Sequence, residues 1–130
     1  MGEQKYLIDS NAVIDYLGNK FPVTGMQFMN SVVDAIPALS VITKIEVLGF
    51  NAPQDYDTLF TNFMNDATVI DLASPIIDQT IALRKLYKIK LPDAIIAATT
   101  IVHDCTLITR NTKDFENIQG LKITNPHELT

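Results

Sequence analysis

Five short apolar runs, each cut off by a polar residue and most of them leading into a stretch of helical spacing, set the terms for this chain. Lys5–Ile8 stops at Asp9, Ala38–Ile42 gives way at Thr43, and Ala67–Leu72 precedes Ser74-Pro75. Thr106–Thr109 runs into Arg110-Asn111, and Leu121–Thr124 closes the series. Apolar runs this short, bounded by turn residues, read as buried strands. Between them apolar residues recur every three or four positions. This happens over Val23–Ala35 as far as Pro37, over Asp55–Asn65, and from Ser74 to about Tyr87 with Pro75 at the first helical position. Another such segment opens at Pro92-Asp93 and runs through "AIIAATTIV". Shorter helices are expected from Ser10 or Asn11 to Leu17 and over Thr43–Phe50, with Ser10 or Asn11 and Thr43 as caps. Strands that alternate with helices need crossover connections. The expected fold is therefore α/β: a three-layer α/β/α sandwich around a mostly parallel sheet, formed by residues 1–130 as a single domain.

Ligands of such sheets bind beyond the carboxyl ends of the strands, and the polar residues expected there are mostly acids. Asp9 ends the first run. Glu46 lies in the first turn of the helix after the second, Asp93 opens a helix with a long apolar face, and Asp114 follows the fourth run within "TRNTKDF". Taken singly, each has a local explanation: Asp9 as a cap, Glu46 and Asp93 as first-turn acids favoured by the helix dipole, and Asp114 as a solvated charge. Taken together, they gather on one edge, where carboxylates resist sharing a pocket unless a cation joins them. An all-oxygen set suits Mg²⁺ or Mn²⁺. With His103 and His127 as the only histidines and Cys105 as the only thiol, a tetrahedral zinc site is not expected.

Composition narrows the function further. The net charge of −5 and a pI near 4.8 argue against broad electrostatic binding of nucleic acid, but not against metal-dependent chemistry on a phosphodiester. Hydrophobic residues make up 47% and charged residues 19%, a globular balance. No apolar run would span a bilayer, the polar start "MGEQK" is not a signal peptide, and the lone Cys105 has no internal disulfide partner. These features point to a soluble cytoplasmic protein with no membrane association.

"YLIDSNAVIDYL", "SVITKIEVLGF", "LPDAIIAATTIVHDCTLITRNTKDF" and "GLKITNP" resemble a PIN domain, and more closely the small VapC-type toxins. The resemblance covers nearly the whole chain, apart from a stretch without motif between Gly49 and Ser74. It implies a ribonuclease that uses Mg²⁺ or Mn²⁺, with Asp9, Glu46, Asp93 and Asp114 as the catalytic and metal-binding acids. It also matches Asn11, Thr109 and Asn111 to polar residues flanking that site. The implied partners are an RNA substrate, an antitoxin that blocks the acidic groove, and a second copy in a homodimer.

The residues themselves suggest supporting roles. The hydroxyl of Thr43 or Thr109 could orient a ligand or a water; the local alternative is helix capping or strand filling, and it is the stronger reading for Thr43. Arg110, with Lys44 and Lys113, falls near the acidic edge, where phosphates flanking a cleaved bond would lie. Two rivals share the fold class. A receiver-like module using Asp9 as phosphoacceptor would want a pair of acids after the first strand, where this chain has Asp9 followed by Ser10. A haloacid-type phosphatase would want a second carboxylate where Asn11 stands. A non-catalytic binding module of the same fold stays open as well.

Overall fold

The computed structural model describes residues 4–130. Met1 to Glu3, the first part of the polar start, lie outside the described residues. Five parallel strands form one sheet in the order β3-β2-β1-β4-β5: β1 Tyr6–Ile8, β2 Ala38–Ser40, β3 Thr68–Ile70, β4 Thr106–Ile108 and β5 Lys122–Thr124. Among the described residues seven helices connect them: α1 Ser10–Leu17, α2 Val23–Asp34, α3 Val41–Leu48, α4 Gln54–Asp66, α5 Ser74–Leu86, α6 Leu91–Val102 and α7 Thr112–Phe115. A 3₁₀ turn over Pro126–Glu128, which the sequence reading did not anticipate, follows β5.

Successive residues of a strand face opposite sides, and the central pair shows this directly. Leu7 and Leu107, aligned across β1 and β4, pack with Ile76, Leu83, Ile96 and Phe115 from α5, α6 and α7. Ile8 and Ile108, the next aligned pair, face the other way onto Val13, Met29, Val47 and Phe60 from α1 to α4. Two apolar cores separated by one sheet make the expected α/β/α sandwich. Each strand is only three residues long, and the central ones are buried on both faces. This is why they appear in the sequence as apolar runs and not as alternation.

The element ends depart from expectation where capping chemistry prevails over β propensity. The second strand stops at Ser40 and not at Ile42, because the Ser40 hydroxyl accepts a hydrogen bond from the Ile42 N–H at 3.1 Å and starts α3 there. Val41 and Ile42 are therefore helical, and Thr43 caps nothing. The cap of α1 is Asp9, one residue ahead of Ser10 and two ahead of Asn11, the expected caps. The third strand is confined to Thr68–Ile70, with Asp71 and Leu72 exposed beyond it.

The strand order reverses between β1 and β4. The chain fans out from β1 through β2 and β3 on one side, and through β4 and β5 on the other. That reversal opens a crevice at the carboxyl ends of β1 and β4. On the far side of the same edge, Gly25 lets α2 meet the C-terminal 3₁₀ turn, since a Cβ there would collide with the Pro126 carbonyl oxygen.

Candidate active site

Asp9 sits in the crevice. Its backbone N–H extends the pairing of β1 with β4 by donating to the Ile108 carbonyl at 2.9 Å. Its side chain is 5% exposed. Oδ1 accepts from the Ser10 N–H at 2.8 Å and so caps α1. Oδ2 accepts from the Thr109 hydroxyl at 2.8 Å and from Asn11 Nδ2 at 3.0 Å. Burial pushes the Asp9 pKa up, the Thr109 and Ser10 hydrogen bonds pull against it, the charge of Glu46 adds to the rise, and Asn11 opposes it. Asn11 ties both strand ends together: Nδ2 also donates to Thr109 Oγ1 at 3.1 Å, and Oδ1 accepts from the Arg110 N–H at 2.9 Å. Asn111 closes the turn by donating its own N–H to Thr109 Oγ1 at 3.1 Å.

Glu46 reaches the crevice from α3, where Ser10 Oγ donates to its Oε1 at 2.6 Å. Asp93, in the first turn of α6, lines a cleft of about 360 Å³ together with Asp9, Ser10, Asn11, Asp15, Lys20, Glu46 and Arg110. Asp93 also lines an adjoining cleft of about 350 Å³ with Asp114 and Lys113. The Asp93 carboxyl is half-buried. Its pKa is raised first by burial and then by the charges of Asp9, Asp114 and Glu46, with Lys90 opposing. Each of the other three acids is thus close enough to make Asp93 harder to ionise. Among the described residues, none of the four pairs with a lysine, arginine or histidine.

The donors converging here are oxygens, the chemistry that Mg²⁺ and Mn²⁺ prefer. Among the described residues, no three acid, thiol or imidazole side chains are drawn tightly enough together to be a ready-made metal cage. The fit to a hard cation therefore rests on donor type and on the mutual repulsion felt at Asp93. Thr43 lies apart: it is fully buried on α3 and its hydroxyl has no partner. Thr80, Thr99 and Thr100 bond the carbonyl four residues back in their own helices, whereas for Thr43 that residue is Leu39 in β2. Lys44 is exposed and does not line the cleft.

Several residues here were not singled out from the sequence. Ser10 was read only as a cap. Asp15, on the buried face of α1, pairs with His127, and an acid at apolar helical spacing is itself a sign of a paired buried charge. A cavity of about 770 Å³ lies at the opposite edge of the sheet beside Lys5, Pro37, Thr68 and Cys105 and takes in none of these acids. Asp71 is exposed after the edge strand β3, with β2 between it and β1, and so stands apart from Asp9.

The comparisons agree with this architecture. A toxin–antitoxin complex from Klebsiella pneumoniae contains a chain 34% identical to this one, with a TM-score of 0.74 over 96% of this chain and 100% of that one. VapBC from Salmonella typhimurium, bound to DNA, matches at 22% identity and a TM-score of 0.77, over 95% of this chain and 99% of that one. VapBC2 from Rickettsia felis, bound to a promoter fragment, matches at 20% identity and a TM-score of 0.76, over 94% and 98%. No curated protein sequence matches the chain. The PIN domain family model matches residues 6–121, which takes in all four acids, and the chain belongs to the PIN domain family.

Proposed function

We propose that this chain is a metal-dependent endoribonuclease and the toxin of a toxin–antitoxin pair, acting in the cytoplasm as a single nuclease domain. The observation that carries the catalytic reading is the electrostatics at Asp93. Burial first, and then three further carboxylates, raise its pKa, and among the described residues no basic side chain forms an ion pair with any of the four. Such a cluster is costly unless a cation completes it. Asp9, Glu46, Asp93 and Asp114 would hold Mg²⁺ or Mn²⁺, which when bound supplies Lewis-acid activation of water and neutralises charge building on the phosphate. In the reaction, a water oxygen bonds to phosphorus and the P–O3′ bond breaks. The products are a 5′-phosphate and a 3′-hydroxyl.

The chain's own residues prepare this site. Thr109 and Asn11 fix one oxygen of Asp9 and pull its pKa down against the larger rise from burial. Ser10 holds Glu46 toward the crevice from an otherwise exposed helix face. The partner reading rests on the Klebsiella pneumoniae relative, which is part of a toxin–antitoxin complex. It also rests on exposed apolar side chains of α3, α4 and the segment between them, Ile45, Leu48, Phe50, Tyr56 and Leu59, of which Phe50 lines the cleft. A patch of this kind suits burial by an antitoxin or by a second copy of the chain.

The test is cleavage of RNA by the purified protein. Mn²⁺ or Mg²⁺ should support cleavage, chelator should stop it, and Asp93→Asn should abolish it while the protein stays folded. Cleavage that ignores chelator, or that survives in Asp93→Asn, would refute the assignment.

A further inference from the structure

Asp15 is the acid of this cleft that the chain does pair. It is 2% exposed, and as a carboxylate it can only accept. Arg110 Nη1 lies 3.3 Å from Oδ1 and 3.1 Å from Oδ2, and His127 Nε2 lies 2.9 Å from Oδ2. His127 Nε2 is therefore the donor in that contact. The histidine is braced in turn. Its ring centroid lies 4.5 Å from that of Phe21, its backbone N–H donates to Asn125 Oδ1 at 3.0 Å, and Pro126 seats against Gly25.

Arg110 is held at both ends, by Asn11 at its backbone N–H and by Asp15 at Nη1. Among the described residues its Nε and Nη2 have no hydrogen-bond partner, and its side chain stays 54% exposed at the cleft that holds Asp9, Glu46 and Asp93. A free arginine beside those acids would fold onto them and take the cation's place. Asp15 keeps it off them and presents the rest of the guanidinium fork to the cleft. Phosphate is the ligand that such a fork matches, and RNA carries one at every nucleotide.

We propose that Arg110 grips a backbone phosphate flanking the cleaved bond, and that Asp15 and His127 are positioning residues that hold the guanidinium in place for it. This rests on the nuclease reading above. The probe is a pool of random-sequence, single-stranded oligoribonucleotides. With Mn²⁺, Arg110→Met should raise KM about tenfold, the scale of one lost hydrogen bond to a charged group, with most of the loss in kcat/KM carried by KM. Binding is followed by fluorescence anisotropy in the cleavage-silent Asp93→Asn background. There, Arg110→Met should lower the slope of log affinity against log salt by about 0.7, one phosphate contact. Arg110→Lys should restore the slope and only part of the KM. Asp15→Asn should raise KM as well as lower Tm.

An Arg110→Met protein with wild-type KM and salt slope overturns the proposal. So does an Asp15→Asn protein that loses Tm but keeps KM, since the cluster would then only anchor the C-terminal turn. A wild-type protein that leaves the whole pool intact sinks the nuclease reading itself, an outcome separate from both.

Discussion

Replacing Thr109 with valine isolates the contribution of one hydroxyl to the acidic site. Valine keeps the size and branching at a fully buried position and deletes only the oxygen. That oxygen donates to Asp9 Oδ2 at 2.8 Å and accepts from Asn11 Nδ2 and the Asn111 N–H, each at 3.1 Å. Asn11 keeps its bond to Asp9, and Asn111 is exposed and can turn to water. The main loss is then a hydrogen bond to a charged group, about 1.5–3 kcal/mol, or roughly tenfold to one-hundredfold in an equilibrium constant. Removing a group that orients a metal-ligating side chain weakens metal binding by about 10- to 100-fold, so two independent routes give one range.

The direction with pH also follows. Burial already holds the Asp9 pKa above the usual carboxylate range, and the Thr109 bond is the strongest influence opposing it. Without the hydroxyl the proton competes better with the cation, and the acid limb of the cleavage profile moves to higher pH. Calorimetric titration with Mn²⁺ at neutral pH should show Kd raised by about 10- to 100-fold in Thr109→Val, with Thr109→Ser close to wild type. A folded Thr109→Val protein with a Kd within about twofold of wild type, well under the loss of one such bond, would show that the hydroxyl does not prepare Asp9 for a cation.

Asp93→Asn should raise Tm in chelator at neutral pH. The folded-state pKa of Asp93 lies above its unfolded value, so its charge costs stability once pH rises through the folded pKa. The gain should shrink as pH falls through the carboxylate range and the wild-type acid takes up its proton; a gain that is constant with pH would count against this account. Mn²⁺ should raise the Tm of wild type more than that of Asp93→Asn, read by thermal denaturation with and without the ion. Gly25→Ala should cost about 1–3 kcal/mol by driving the Pro126 carbonyl away from α2, measured by urea unfolding; an unchanged midpoint would show that the turn yields freely.

The sheet was readable because its strands are buried on both faces. Leu7-Ile8 and Leu107-Ile108 feed two different cores from adjacent positions, so the chain writes them as unbroken apolar pairs followed by a polar stop. Boundaries were less legible where two local preferences conflicted. Val41 and Ile42 favour a strand by composition, but Ser40 ahead of them is a good cap, and the helix begins there. The approach of the acids to one edge could be inferred from the alternation of strands and helices. Which groups hold them could not: Ser10 meets Glu46 across 36 positions, and Thr109 meets Asp9 across 100. Asp15, Arg110 and His127 were invisible as a unit for the same reason, since nothing local links a helix acid to a residue 112 positions later.

Asp9 also shows that capping and chemistry need not be rival explanations for one residue. A carboxylate offers about four acceptor positions. The α1 cap takes one on Oδ1, and Thr109 and Asn11 take both on Oδ2. One position is left, on Oδ1, and the side chain has no freedom to swing it away. The hydrogen bonds that end a strand and start a helix therefore also aim the last lone pair of a buried acid. An acid held only by the field of its neighbours would instead turn toward solvent to escape them. The opening residues of α1 therefore bear on the acid-lined crevice as directly as its carboxylates do.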